Sequence, residues 1–120
     1  MITEDYVSFE TAKLLKEKGF DENCAALYDT RNGEFREKQT GYVFNNSQWE
    51  NFITAPTLQM AMKWLREVHN IHIEIGYNMG YFPVCISTQT NETTPYATGN
   101  PFTYEKACEV TIKYCLENLI

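Results

Sequence analysis

The sequence predicts an α+β fold: a small antiparallel sheet with helices packed on one face, ordered α-β-β-α-β-β-α within a single domain of residues 1–120. Three observations lead there. Three segments repeat apolar residues every three to four positions behind a capping residue, as amphipathic helices do. Ile71, Ile73 and Ile75 alternate with His72 and Glu74, the two-residue period of a half-buried strand. The strand-like runs are joined by connections too short for anything but antiparallel pairing.

The first helix is expected over FETAKLLKEK, with Ser8 as N-cap and Val7 placed to staple onto Ala12. Gly19 follows the last turn as the left-handed residue, and Phe20 folds back onto the helix end. Phe9, Ala12 and Leu15, with Leu14 beside them, form its buried stripe, while Lys13, Lys16 and Lys18 face water. Asn32-Gly33 then predicts a type I′ hairpin with strands near 24–30 and 34–38. Residues 39–54 read as loop, with a short strand at 42–44. Pro56 keeps Ala55 extended, Thr57 caps a second helix, and Leu58, Ala61, Leu65 and Val68 line it, with Trp64 widening the stripe. Two strands follow, from Ile71 and over 81–87, then a polar connection with a short strand near 96–98. Thr103 caps the last helix, whose buried face is Cys108, Ile112, Cys115 and Leu119, joined by Ala107, Thr111 and Leu116.

Composition excludes more than it identifies. The chain has 120 residues, 43% hydrophobic and 14% aromatic, which suits one globular domain. No apolar stretch is long enough to span a bilayer, so no membrane partner is expected. The N-terminus MITEDYVSFE lacks a basic and an apolar signal region, so the cytoplasm is the expected compartment. A net charge of −6 without any basic run argues against a nucleic-acid reader, whose affinity comes largely from neutralising phosphate. The four cysteines contain no CxxC, and the two histidines do not stand at zinc spacing from any pair of them. Cys108 and Cys115 sit about 10 Å apart along a helix, too far for a disulfide. Free thiols, no metal and no cofactor are expected.

The segments VSFETAKLLKEKGF, KWLREVHNIHIEIGY and YEKACEVTIKYCLENLI resemble a family of small uncharacterised proteins from prophage and mobile-element regions of gut anaerobic bacteria. The likeness covers both ends and the middle helix-strand unit, leaving out 29–53 and 87–100. It implies a bacterial, phage-derived gene and a cytoplasmic product, and it supplies no chemistry.

His72, Glu74 and Cys85 are the only residues resembling a catalytic set. Their meeting depends on the register of the second hairpin. If Tyr77 and Gly80 close a two-residue turn, Ile71, Ile73 and Ile75 face Ile86, Val84 and Phe82, and His72 stands opposite Cys85. Pro83 would then make 81–87 an edge or bulged strand. A three-residue loop ending at Gly80 instead sets Ile73 opposite Cys85 and His72 opposite Ile86. The first register keeps the faces segregated and is preferred. Even there a Cys-His-Glu set lacks an oxyanion hole and a cleft, and two side chains pointing the same way from one strand make a poor orienting pair. A metal on His69, His72 and Glu74 fits no zinc signature, and His69 near a helix C-terminus has a structural explanation. The leading reading is therefore a small non-enzymatic accessory or protein-binding protein, and the alternative is a small enzyme using the His72, Glu74 and Cys85 face. The interaction candidates of the leading reading are Tyr77 and Tyr81 at the hairpin tip and Trp49 and Phe52 in the middle loop, with a homodimer as one outcome.

Overall fold

A computed structural model describes residues 2–37, 43–47, 50–87, 92–95 and 103–120, with 83–87 and 92–95 described by their backbone. Its elements are α1 (Phe9–Glu17), β1 (Ala26–Asp29), β2 (Phe35–Glu37), β3 (Phe52–Thr54), α2 (Leu58–His69), β4 (Ile71–Tyr77), β5 (Tyr81–Ser87), β6 (Glu92–Pro95) and α3 (Tyr104–Asn118). The fold is α+β with antiparallel pairing throughout these strands. Two three-stranded sheets form, β2-β1-β3 and β4-β5-β6, the third strand of each lying at a different place from the short extra strand the sequence suggests. By its internal contacts the chain divides into two compact units, Met1–Thr57 and Leu58–Ile120.

In the first unit, α1 opens as its residues dictate. The Ser8 hydroxyl accepts from Thr11 N at 3.3 Å, and Val7 and Ala12 are both fully buried. The helix ends in a Schellman motif. Gly19 takes φ +95°, its N–H donates to Lys16 O (3.1 Å), and Phe20 N donates to Leu15 O (2.9 Å). Phe20, 1% exposed, thereby joins Leu15 in the core, where a fully buried large apolar side chain contributes about 1.5–3 kcal/mol. Phe9 and Leu14 are only half-buried, and Thr11 completes the stripe instead. Lys16 is not wholly solvated: its Nζ donates to Phe52 O at 3.4 Å. Asn46 ties the helix end to β3, donating to Phe20 O (2.8 Å) and accepting from Thr54 N (2.9 Å).

The Asn32-Gly33 hairpin exists, but not as a type I′ turn. Tyr28 pairs with Phe35, so the strands are shorter than 24–30 and 34–38 and a longer loop joins them. Gly33 alone has positive φ (+71°), whereas type I′ needs it at Asn32 too. Side chains hold this loop in place of turn geometry. Asp29, 1% exposed, accepts from Arg31 N and Nε through Oδ1 (2.9 and 3.0 Å) and from Arg31 Nη2 through Oδ2 (2.9 Å). Those bonds from the Arg31 side chain and backbone hold the Asp29 carboxyl down to about 2. Asn32 Oδ1 accepts from Glu34 N (2.9 Å), an Asx turn. Of the strand expected at 42–44, the described part shows one isolated bridge, Cys24 with Phe44. β3 forms further on, where a loop is expected.

In the second unit, α2 stops at His69 because Asn70 adopts the left-handed conformation (φ +55°), and β4 begins at the next residue. α2 lies against β4 and α3, and α3 against β5 and β4. Ile71 and Ile73 are buried while Glu74 is exposed, so the isoleucine face is the core face. Leu58, Ala61, Met62, Trp64 and Leu65 form the α2 stripe. Val68, expected in it, is 53% exposed. Thr103 caps α3 by accepting from Lys106 N at 3.1 Å. Ala107, Cys108, Thr111, Ile112, Cys115 and Leu116 are all fully buried, while Leu119 falls outside the stripe. No helix among the described residues is long and apolar enough to cross a membrane. The strand expected near 96–98 lies outside the described residues, and β6 pairs at 92–95.

Candidate functional site

The β4–β5 register decides which sequence candidates meet. Tyr77 pairs with Tyr81 across a three-residue loop, so Ile73 is opposite Cys85 and His72 opposite Ile86. This is the less favoured of the two registers, and it separates His72 from the position facing Cys85. The loop residues agree with it: a type I′ turn at 78–79 needs positive φ at both residues, but of these only Met79 has it (φ +59°), and Gly80 at φ +138° is the third loop residue. β5 is also the central strand, not an edge. Pro83 sits opposite Ile75 and just beyond the β5–β6 ladder, which starts at Val84, so its missing N–H does not interrupt that ladder.

On the outer face of β4, His72 Nε2 lies 3.4 Å from Glu74 Oε1, closer than two same-facing side chains on one strand were expected to come. Their side chains are 40% and 58% exposed, so the pair is a solvated surface contact worth little. His72→Ala and Glu74→Ala should each change stability by about 0.5 kcal/mol or less in urea unfolding. A loss several times larger from either would mean that something covers this face. His69 does not join them. Its ring packs edge-on against Trp64, with centroids 4.6 Å apart. Among the described residues no three His, Cys, Asp or Glu side chains are grouped to hold a metal ion.

Beside that pair, Gly76 lies opposite Phe82. A Cβ at Gly76 would come within 2.6 Å of Phe82 Cε2, so the ring lies directly over the glycine backbone. That contact, an aromatic side chain filling the gap left by a glycine across the strand, needs no side chain at 76.

The remaining candidates converge at the hairpin tip. The Tyr77 and Tyr81 rings are 5.0 Å apart and tilted by 54°, and Tyr81 meets Tyr104 of α3 edge-on at 5.6 Å. Gln59 Nε2 donates to the Tyr104 hydroxyl at 3.2 Å, tying α2 into the row. Tyr77 is 70% exposed and Met79 at the loop apex 90%; Tyr81, Phe82 and Tyr104 are partly exposed. Tyr104 and Met79 are absent from the sequence candidates. Tyr104 stands at the first position of α3, in phase with Ala107, Cys108 and Thr111 yet 37% exposed, so the start of that stripe was the available signal. Phe52 is a half-buried β3 residue of the first unit. Trp49 lies outside the described residues.

Two linked tyrosines and an exposed methionine on the hairpin, with Tyr104 of α3 against Tyr81, present an aromatic contact surface. Fold and tip together define a small α+β protein with an aromatic hairpin apex. No protein-family model matches the chain, and no curated protein and no solved structure is significantly similar to it.

Proposed function

We propose that this chain is a small, non-enzymatic accessory protein of phage-derived origin, acting in the bacterial cytoplasm by binding another protein through the β4–β5 tip. The observation that carries the reading is the exposed row of Tyr77, Tyr81 and Tyr104 with Met79 beside it. Aromatic residues and Met are enriched at the buried centres of protein interfaces, where they bring large contact area, the tyrosines at little conformational cost. A tagged chain should retain from host lysate a protein that a Tyr77→Ala/Met79→Ala variant loses while its melting temperature is unchanged. Retention of the same proteins by both would remove the tip from consideration. A second copy is one admissible partner, and sedimentation equilibrium would show it as a concentration-dependent departure from 14.0 kDa.

The rival enzyme reading needs a reactive Cys85. Cys24, Cys108 and Cys115 are buried free thiols. Burial pushes the Cys24 thiol up to about 11 and the Cys108 thiol upward as well, which keeps both protonated at neutral pH. All three should resist iodoacetamide in the folded protein and react only on unfolding. Fast labelling of Cys85 alone at neutral pH would favour the enzyme over the binding protein.

A further inference from the structure

Asn-Gly is the dipeptide most prone to spontaneous deamidation, because glycine leaves its own amide nitrogen open to attack the neighbouring carboxamide. Asn32-Gly33 stands exposed in the β1–β2 loop, where such chemistry would be expected to proceed. The loop's hydrogen bonds oppose it. Gly33 N, the nitrogen that must lose its proton and attack, donates to Asp29 O at 2.7 Å. Both ends of the Asn32 carboxamide are also held: Oδ1 accepts from Glu34 N at 2.9 Å, and Nδ2 donates to Glu34 Oε2 at 3.3 Å. Asp29 N in turn donates to Glu34 O (2.9 Å), and the Asp29 carboxylate holds Arg31 N, which closes the ring of bonds around the pair.

We propose that Asn32 is a latent modification site, withheld while the β1–β2 hairpin is closed and converted when it opens. On opening, the deprotonated Gly33 nitrogen attacks Asn32 Cγ. The bond from Cγ to the amide nitrogen breaks, and that nitrogen leaves as ammonia with the proton taken from Gly33. Water then opens the resulting succinimide at either carbonyl, leaving aspartate or isoaspartate, with no change of oxidation state. The conversion is one-way in a structural sense too. It replaces the donor facing Glu34 Oε2 by a second carboxylate, so the contact that helped close the loop becomes a like-charge repulsion. Isoaspartate adds a main-chain carbon besides, so the Gly33-to-Asp29 bond no longer fits. The site therefore records openings of this hairpin, and each conversion makes the next closure harder. This inference concerns the first unit and does not depend on the tip of the second.

Peptide mapping by mass spectrometry after incubation of the full chain at neutral pH tests it. Deamidation at Asn32 should be at least about tenfold slower in the folded chain than in urea, since local opening of a hydrogen-bonded loop limits it. Asp29→Ala, which frees Arg31 N and the guanidinium, should bring the folded rate toward the urea rate. Equal rates at Asn32 in buffer and in urea would overturn the proposal without recourse to any variant. So would a folded Asp29→Ala chain, judged by circular dichroism, that deamidates as slowly as the parent. In a chain already carrying Asn32→Asp, hydrogen exchange at Gly33 N should be faster than in the parent; unchanged protection would contradict the ratchet.

Discussion

Ile73→Asp is expected to abolish cooperative folding of the second unit. Ile73 is 7% exposed at the middle of β4, on the face that packs under α2 and α3, with Ile71 beside it at 3%. An aspartate there buries a charge, at a cost of several kcal/mol against a total stability of about 5–15 kcal/mol. Thermal melts followed by circular dichroism should show a midpoint lowered by at least about 10 °C or no transition. Ile73→Val removes one methylene and should cost only about 0.5–1.5 kcal/mol. An unchanged midpoint for Ile73→Asp would show that the isoleucine face is not the core.

Phe20→Ala should be the most damaging truncation in the first unit. The ring is 1% exposed and is delivered to the core by the α1 Schellman turn, so its removal leaves a cavity beneath a fixed backbone. Loss of a buried Phe ring costs about 3–5 kcal/mol, read as a lower urea midpoint at constant slope. Gly19→Ala tests the same turn from the backbone side and should cost about 1 kcal/mol, since alanine resists φ +95°. A change below about 1 kcal/mol for Phe20→Ala would mean that the helix end is not anchored there.

What could be read from the sequence was local. Ser8, Thr103, Gly19 and Phe20 behave as expected because caps are decided by residues within four positions of one another. The α3 face was legible for the same reason, its apolar period being uninterrupted. The errors lie where distant or non-standard conformations decide. Asn78 does not take the positive φ that a type I′ turn at 78–79 needs, while Met79 and Gly80 do take positive φ, and the β4–β5 register stands one residue away from the expected one. Keeping the isoleucines opposite Phe82, Val84 and Ile86 was a sound rule for an edge strand. It misled because β5 is central, and because Phe82 has its own place over Gly76. Asn32-Gly33 obeyed Asp29 and its arginine instead of its turn propensity. β3 and β6 are three and four residues long and exist only through pairing with β1 and β5, which no local pattern announces. At the tip, Tyr77 and Tyr81 were visible as neighbours across a turn, while Tyr104 comes from a helix that begins 23 residues after Tyr81 and arrives there by packing.

The single left-handed residue between α2 and β4 has a kinetic consequence. With one residue joining helix to strand and three joining strand to strand, residues 58–87 can make their mutual contacts with little loop-closure entropy to overcome. α3 is different: it reaches β5 only after the whole stretch from Ser87 to Thr103 has been spanned. The helix-strand-strand segment should therefore order first, with α3 docking onto it later. In denaturant-jump kinetics, truncating Leu65 would slow refolding, whereas truncating Ile112 would chiefly speed unfolding. Asn70, itself exposed, then governs how soon Tyr77 and Tyr81 are brought together, and Tyr104 joins them only when α3 docks.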